Sequence, residues 1–356
     1  MMINTYIITF HWATNYGAVL QSYALQQYLM KYGGTVKIIN YVPEGYSKSF
    51  MECLRARSIK GIIENFGAFY KEYKIEKFRK KNLDRTEKYV CSQQLKKAIW
   101  EKGIYICGSD QIWNPFFTMN GEGKAVGVYY LDFAPQNSMK IAYAASFGVT
   151  KINTDMQKFI IEKLKKINLL TVREKSGLNI IKEMGLNAKL VCDPVFLHNK
   201  LFYERMMGMS AQKVRHSFIF SYILHQKQEK AQQIVKMISK KMKIRVNKKK
   251  NMGIEEWLQN IYSASVVITN SFHAVAFSLI FNISFIAVLI EGSGMNDRIL
   301  TLLEGVGLKD RAVLELNEKE CEALLNTKIN WEKINQQLLK MREESAQILD
   351  TIYLRR

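Results

Sequence analysis

Short apolar runs rich in β-branched residues recur along this chain, each followed by a small or polar cluster and then a segment of helical period. Continuous runs of this kind suit strands buried on both faces of a parallel sheet, whereas strict alternation would mark a sheet with one wet face. The pattern predicts strands over 5–10, 36–41, 104–107, 140–146, 169–172 and 189–192, and again over 218–223, 243–247, 266–269 and 284–290. Between them it predicts helices over 18–33, 154–166, 176–184, 227–242, 254–262 and 274–281, with a long one over 331–354. Strand alternating with helix indicates an α/β fold. Asp193-Pro194 interrupts the pattern, which places a domain junction within 193–199. In the first helix Leu20, Tyr23, Ala24, Tyr28 and Leu29 fall at three- and four-residue steps and form an expected buried stripe. Residues 52–102 lack apolar runs and read as a basic helical insertion, with Phe66, Phe69, Tyr70, Tyr73 and Phe78 packing one face.

The stretch 262–290, YSASVVITNSFHAVAFSLIFNISFIAVLI, is the strongest single unit: strand, polar turn, apolar helix, strand. Asn270 and Ser271 suit a helix N-cap, and His273 falls in the first helical turn. Unpaired backbone N–H groups and the positive end of the helix dipole favour an anion there. A single imidazole at such a position is either a general acid–base group or a packed capping residue, and spacing alone leaves both open.

Composition narrows the classes. The chain has 356 residues, long enough for two domains, and 48% hydrophobic content excludes wholesale disorder. Its five cysteines (Cys53, Cys91, Cys107, Cys192, Cys321) are scattered without CxxC spacing, so neither a disulfide framework nor a cysteine zinc site is indicated, and a reducing cytoplasm fits. No metal site is expected. The first residues do not read as a signal peptide, and 264–290 is interrupted by Asn270, His273 and Asn282, which argues against a membrane span. The formal charge is +20, and between Lys227 and Lys250 ten basic residues accompany one acid, Glu229. Nucleic acid, an anionic membrane surface, an anionic substrate and a merely solvated helix face are all compatible with that. No helix–turn–helix, RRM signature or zinc finger favours nucleic acid.

Three loops carry candidate chemistry. The first strand runs into His11, then Asn15-Tyr16-Gly17 at a helix start, with Asn15 as N-cap leaving backbone N–H groups for a ligand; neither the GxGxxG nor the GxxxxGK[ST] spacing is present. The strand 104–107 leads into Gly108-Ser109-Asp110-Gln111, which is either a binding loop or an ordinary turn. Arg173 stands at the tip of the strand 169–172, placed to clamp a carboxylate or phosphate, or to pair with Glu174 at the surface.

Six blocks, FHWATNYGAVLQSYALQ, CGSDQIWNP, TVREKSG, CDPVFL, EEWLQNIYSASVVITNSFHAVAFSLIF and MNDRILTLLEGVGL, resemble the polysaccharide pyruvyl transferase family in content and order over residues 10–308. The resemblance implies two Rossmann-like domains facing across a cleft, as in GT-B glycosyltransferases: residues 1–197 with the helical insertion on the acceptor side, residues 198–330 binding phosphoenolpyruvate, and a helix 331–356 returning to the first domain. It implies transfer of the pyruvyl group of phosphoenolpyruvate onto two hydroxyls of a sugar as a cyclic ketal, with no cofactor. Arg173 matches the family's donor-binding arginine and His273 its histidine; Asn270 and Ser271 would join them, and Arg298 is available as the second domain's cation. His11, Asn15, Tyr16, Gly17, Ser109 and Gln111 would line the acceptor side, with Asp110 as base. A lipid-linked acceptor would bring the 227–250 segment and the insertion onto the anionic inner face of the cell membrane. A GT-B glycosyltransferase using a nucleotide sugar is the alternative enzyme, and a basic non-catalytic scaffold is the alternative outside enzymes.

Overall fold

Among the described residues every strand pairs in parallel with its neighbours, in two separate sheets. The computed structural model describes residues 3–44, 59–119, 127–209, 217–224 and 229–354. The chain divides into two compact units, Met1–Leu197 with Ser345–Arg356, and His198–Glu344. Cys53, Lys227 and residues 52–58 of the expected insertion lie outside the described residues.

The first unit runs β1 (Thr5–Ile8), α1 (Tyr16–Leu29), β2 (Val36–Tyr41), α2 (Ile59–Asn82), β3 (Arg85–Tyr89), α3 (Ser92–Lys97), β4 (Ile104–Cys107), α4 (Pro115–Met119), β5 (Met139–Ala145), α5 (Thr154–Leu164), β6 (Leu169–Val172), α6 (Lys175–Glu183) and β7 (Lys189–Leu190). Its sheet has the order β3-β2-β1-β4-β5-β6-β7. Every residue of β4 is buried, as is all of β1 except Tyr6, because helices cover both faces. The expected stripe on α1 underestimates its burial: twelve of its residues are buried, including Gln21, Ser22 and Gln26. Gln26 repays its desolvation by donating to the carbonyls of Val36 and Asp84, both at 2.8 Å, which ties α1 to the start of β2 and to the turn before β3.

The insertion departs from expectation twice. It contains β3, whose sequence RTEKY has no apolar run because an edge strand needs only one covered side. On α2 the expected aromatic face does not pack as one: Phe78 is buried, whereas Phe66, Phe69, Tyr70 and Tyr73 are exposed. At 100° per residue, Phe78 shares its side with Ile75 and Arg79, and the other four fall outside that side.

The second unit contains α7 (Lys200–Met206), β8 (Phe218–Tyr222), α8 (Glu229–Met242), β9 (Arg245–Asn247), α9 (Ile254–Ser263), β10 (Val266–Thr269), α10 (Phe272–Phe281), β11 (Ser284–Val288), α11 (Asn296–Gly305), β12 (Ala312–Val313) and α12 (Glu318–Asn326). Its sheet has the order β12-β11-β10-β8-β9. All ten residues of α10 are buried, and Phe277 on it meets the rings of Trp257 and Tyr203 edge-on. The basic segment is less naked than its composition indicates. Lys230 pairs with Glu291 and Glu315, Lys241 with Glu322 and Lys249 with Glu256, acids that the count within 227–250 could not include. The last helix, α13 (Trp331–Leu354), belongs to the second unit through Glu344 and to the first from Ser345. In the first unit Tyr353 stacks on Tyr32 at 4.4 Å and its hydroxyl lies 2.9 Å from Thr5 Oγ1, while Ser345 Oγ accepts from the Cys192 N–H.

Candidate active site

Open parallel sheets bind ligands beyond the carboxyl ends of their strands, where the strand order reverses. In the first sheet that point lies between β1 and β4, and in the second between β8 and β10. Of the candidate groups, those in the loops after β1, β4 and β10 stand at a reversal point of their own unit, whereas Arg173 follows β6 and Arg298 stands on the helix after β11. A cavity of about 540 Å³ bounded by Leu164, Leu170, Leu186 and Lys189 opens at the amino ends of β6 and β7, the opposite edge from Arg173.

At the first reversal point the backbone is shaped by glycine. Gly108 has φ +118°, and a Cβ there would stand 2.1 Å from the Tyr143 carbonyl oxygen, so only glycine lets β4 turn this close to β5. The turn delivers Ser109 and Asp110 to Arg173. Arg173 Nη1 donates to Asp193 Oδ2 and to Ser109 Oγ (3.2 Å), and Nη2 donates to Asp110 Oδ1 (3.0 Å). Glu174 stands 3.9 Å from Arg173 Nε, and its Oε1 accepts from the Phe147 N–H at 2.9 Å. Arg173 is thus ion-paired, but in the interior rather than at the surface: its side chain is 1% exposed, against 0% for Asp193, 1% for Glu174 and 12% for Asp110. Burial is the largest influence on the guanidinium and opposes its charge. Asp193, then Asp110, then Glu174 outweigh it, and the pKa is raised.

Asp193 and Glu174 were not read as site residues. Asp193 looked like a strand breaker and Glu174 like a surface partner. The signal that finds them is the pairing of β6 with β7, Val172 opposite Leu190, which brings the residues after both strands to one edge. Gln111 Oε1 accepts from Asn114 Nδ2 at 3.0 Å and faces Gly148, where a Cβ would come within 2.0 Å of it.

The loop after β1 is clamped from α2. Arg79, 2% exposed, donates through Nη2 to the carbonyls of Trp12 and Ala13, both at 2.8 Å, and through Nη1 to Glu72 and Glu76. Its role was hidden among the charges of the insertion. Asn15 caps α1 as expected, but its Oδ1 accepts from Gly17 N (2.9 Å) and Ala18 N (3.3 Å), so these two N–H groups are taken up by the chain itself. Tyr16 and Gly17 are buried.

His11 is fully buried, which removes its side chain from any contact surface. Nε2 lies 3.1 Å from Asn40 Oδ1 and Nδ1 lies 3.3 Å from the Thr9 carbonyl. Burial, opposed by the Asn40 hydrogen bond and reinforced by Arg79, pulls its pKa down to about 4. A neutral ring has one N–H; if Nδ1 gives it to Thr9, Nε2 must accept from the Asn40 amide NH₂, with O and N exchanged. Because the folded pKa lies below the ordinary 6.5, the unfolded chain binds the proton first. The stability associated with His11 is complete above pH 6.5 and falls away down to about pH 4, by roughly 3 kcal/mol. Urea titrations across that window should show the decline in the parent and a flatter profile in His11→Gln; parallel profiles would show that His11 does not titrate this way.

In the second unit Asn270 and Ser271 turn inward. Asn270 Oδ1 accepts from Leu224 N (2.7 Å) and Nδ2 donates to Leu224 O (2.9 Å), pinning the loop after β8 beside the end of β10. Both polar atoms of Asn270 are thereby spent on structure. Ser271 Oγ accepts from Ala274 N at 3.5 Å, and its own N–H donates to Thr269 Oγ1. His273 is the second residue of α10 and 6% exposed, with the Phe272 ring edge-on at 5.1 Å. Arg298, in the first turn of α11, is half-buried. Among the described residues no cluster of three or more His, Cys, Asp or Glu forms that could hold a metal ion, and no helix is long and apolar enough to cross a membrane.

The fold is similar to that of a Listeria monocytogenes protein described as a UDP-N-acetylglucosamine 2-epimerase, at 10% identity and TM-score 0.52, covering 100% of this chain and 98% of that one. More distant are the UDP-GlcNAc 2-epimerase of Methanocaldococcus jannaschii (11%, TM-score 0.46, covering 94% and 95%) and the glycosyltransferase SnogD of Streptomyces nogalater (10%, TM-score 0.44, covering 98% and 99%). At such identities the likeness speaks to the fold alone, an α/β architecture of GT-B kind with parallel sheets of seven and five strands. No curated protein matches the chain. A model of the family "Polysaccharide pyruvyl transferase" matches residues 15–291, a span that holds the loops after β4 and β10, Arg173 and His273. The chain belongs to the polysaccharide pyruvyl transferase family.

Proposed function

We propose that this protein transfers the pyruvyl group of phosphoenolpyruvate onto two hydroxyls of a sugar as a cyclic ketal. The acceptor in this reading is a lipid-linked precursor of a cell-surface polysaccharide, met at the cytoplasmic face of the membrane. The observation that carries it is His273: in a chain of this family, an imidazole stands at the start of a buried helix, at the reversal point of the second sheet. A helix start favours the donor's anionic groups, and Arg298 adds a cation on a neighbouring helix of the same unit.

His273 protonates the donor's methylene carbon, or the phosphate oxygen as it leaves. One sugar hydroxyl bonds to the carbon that bears the phosphate, the C–O bond to phosphate breaks, and the second hydroxyl closes the ketal. Of the two hydroxyl protons, one is balanced by the new methyl group and one by inorganic phosphate. In the first unit Arg173 accepts the donor carboxylate only by giving up a present partner. Asp110, its most exposed carboxylate, is the one that exchanges, and Asp110 thus released serves as base for the attacking hydroxyl. In this reading Gln111 and Asn15 meet the acceptor, while His11, Tyr16, Gly17 and Ser109 hold the loops in shape.

The test has two arms. Calorimetric titration with phosphoenolpyruvate alone should show binding. Phosphoenolpyruvate with p-nitrophenyl galactosides and glucosides should release inorganic phosphate only when glycoside is present, with a ketal-linked product by mass spectrometry. Turnover of UDP-glucose or UDP-galactose on those glycosides without phosphoenolpyruvate, or no binding of phosphoenolpyruvate, overturns the proposal in favour of a nucleotide-sugar glycosyltransferase or a non-catalytic role.

A further inference from the structure

Helix α2 has an inner and an outer side with different chemistry. The inner side is fixed: Ile75, Phe78 and Arg79 are 0%, 3% and 2% exposed. The two acids from Asn65 to Asn82 lie on the flank of the helix, 39% and 33% exposed, and are held to cations or loop atoms: Glu72 bonds to Arg79 and Thr14, and Glu76 to Arg79 and Arg85. The strip outside these flanking acids carries no carboxylate of its own from Asn65 to Asn82. Instead it carries Ile63, Tyr70 and Tyr73 at 67%, 54% and 60% exposure, with Phe66 at 40%. Further along the same side come Lys77, Lys80 and Lys81, all exposed. Lys74, between the two groups, lies over the Tyr70 ring at 4.5 Å. From Ile63 to Lys81, about 28 Å of helix, the outer side passes from aromatic and aliphatic to cationic.

We propose that this side of α2 is a docking surface for an anionic lipid bilayer. Tyrosine rings and an isoleucine settle at the headgroup level, and lysines place their stems against the same layer with the ammonium groups on lipid phosphates. Charge complementarity selects an anionic surface, because from Asn65 to Asn82 the acids of the helix are held by Arg79 and Arg85 while the lysines are exposed, and the chain as a whole is +20. The exposed apolar half separates a bilayer from a simple polyanion, which would be held by the lysines alone. The proposal deepens the reading of a lipid-linked acceptor, yet its binding event involves no donor and no sugar.

The full chain should sediment with vesicles of phosphatidylcholine containing phosphatidylglycerol and much less with phosphatidylcholine alone. Replacing the lysines together (Lys77→Glu, Lys80→Glu, Lys81→Glu) should lower partitioning on the order of a hundredfold. The corresponding arginine variant should retain it. Tyr70→Ser with Tyr73→Ser should lower vesicle partitioning roughly tenfold while leaving binding to heparin intact. All variants should melt with the parent, since every altered side chain is at the surface. Unchanged vesicle binding in the tyrosine variant, or equal losses on vesicles and heparin, overturns membrane docking in favour of general polyanion attraction. No binding by the parent to phosphatidylglycerol vesicles overturns it outright. Phosphate release with soluble p-nitrophenyl glycosides, assayed without vesicles, stays at the parent level if docking fails but the pyruvyl transfer reading holds; the reverse result isolates the failure of that reading.

Discussion

His273→Ala should lower turnover of phosphoenolpyruvate by ~10²–10⁴-fold, the usual worth of a positioned general acid or base. The loss should appear in kcat, with KM for the donor changed far less, because proton transfer is felt in the transition state, whereas in the proposed reading the anion is held by the helix start and Arg298, which the substitution leaves in place. The side chain is 6% exposed in a helix buried throughout, so removing the ring also leaves space. His273→Gln fills more of that space and offers hydrogen bonds, but has no titratable nitrogen near neutrality. If both variants lose kcat alike while melting near the parent, the effect is chemical. If the glutamine variant turns over normally, His273 packs the helix start and the proton comes from elsewhere.

The reversal point of the second sheet could be read from local pattern because β10, α10 and β11 each announce themselves. VVIT is an uninterrupted β-branched run, Ser271 is a capping residue, and FHAVAFSLIF has no polar side to expose. β2, β4 and β6 were legible for the same reason: burial on both faces writes an apolar run. β3 wrote none, since an edge strand with charged residues looks like loop or helix in isolation. The aromatics of α2 misled differently: their residue type argued for a core, but only their helical phase relative to Phe78 decides which side they take. In the candidate site, Ser109, Asp110 and Arg173 could be singled out because each follows a clear strand. Their partners Asp193 and Glu174 could not, because which carboxylates meet a buried guanidinium depends on β5, β6 and β7 lying side by side, a non-local fact. Asn270 shows the converse. It stood in the right loop, yet the fold uses both its polar atoms to hold Leu224.

Arg173→Ala should destabilise the first unit by ~3–5 kcal/mol, the cost of stripping the partner from buried charges. The magnitude is large because three carboxylates depend on one cation. Asp193 and Glu174 are 0% and 1% exposed, so neither can turn to water when the guanidinium goes. Against a total stability of 5–15 kcal/mol for a typical domain, that is a substantial share. Lysine is a poor substitute, since its single ammonium cannot place separate N–H groups on Asp110 through one nitrogen and on Asp193 and Ser109 through another. Denaturant unfolding should therefore rank parent above Arg173→Lys above Arg173→Ala. Adding Asp193→Asn to the alanine variant should recover part of the loss, because it removes one of the stranded charges, and the double-mutant cycle measures that coupling directly. Asp110→Asn tests the exchange proposed for catalysis. It weakens the grip on Nη2 without exposing a new buried charge, so donor KM should fall while kcat falls with the missing base. Should Arg173→Ala unfold with the parent, the guanidinium is not what balances this cluster. Should Asp110→Asn raise donor KM instead, Asp110 and the donor do not compete for the same nitrogen.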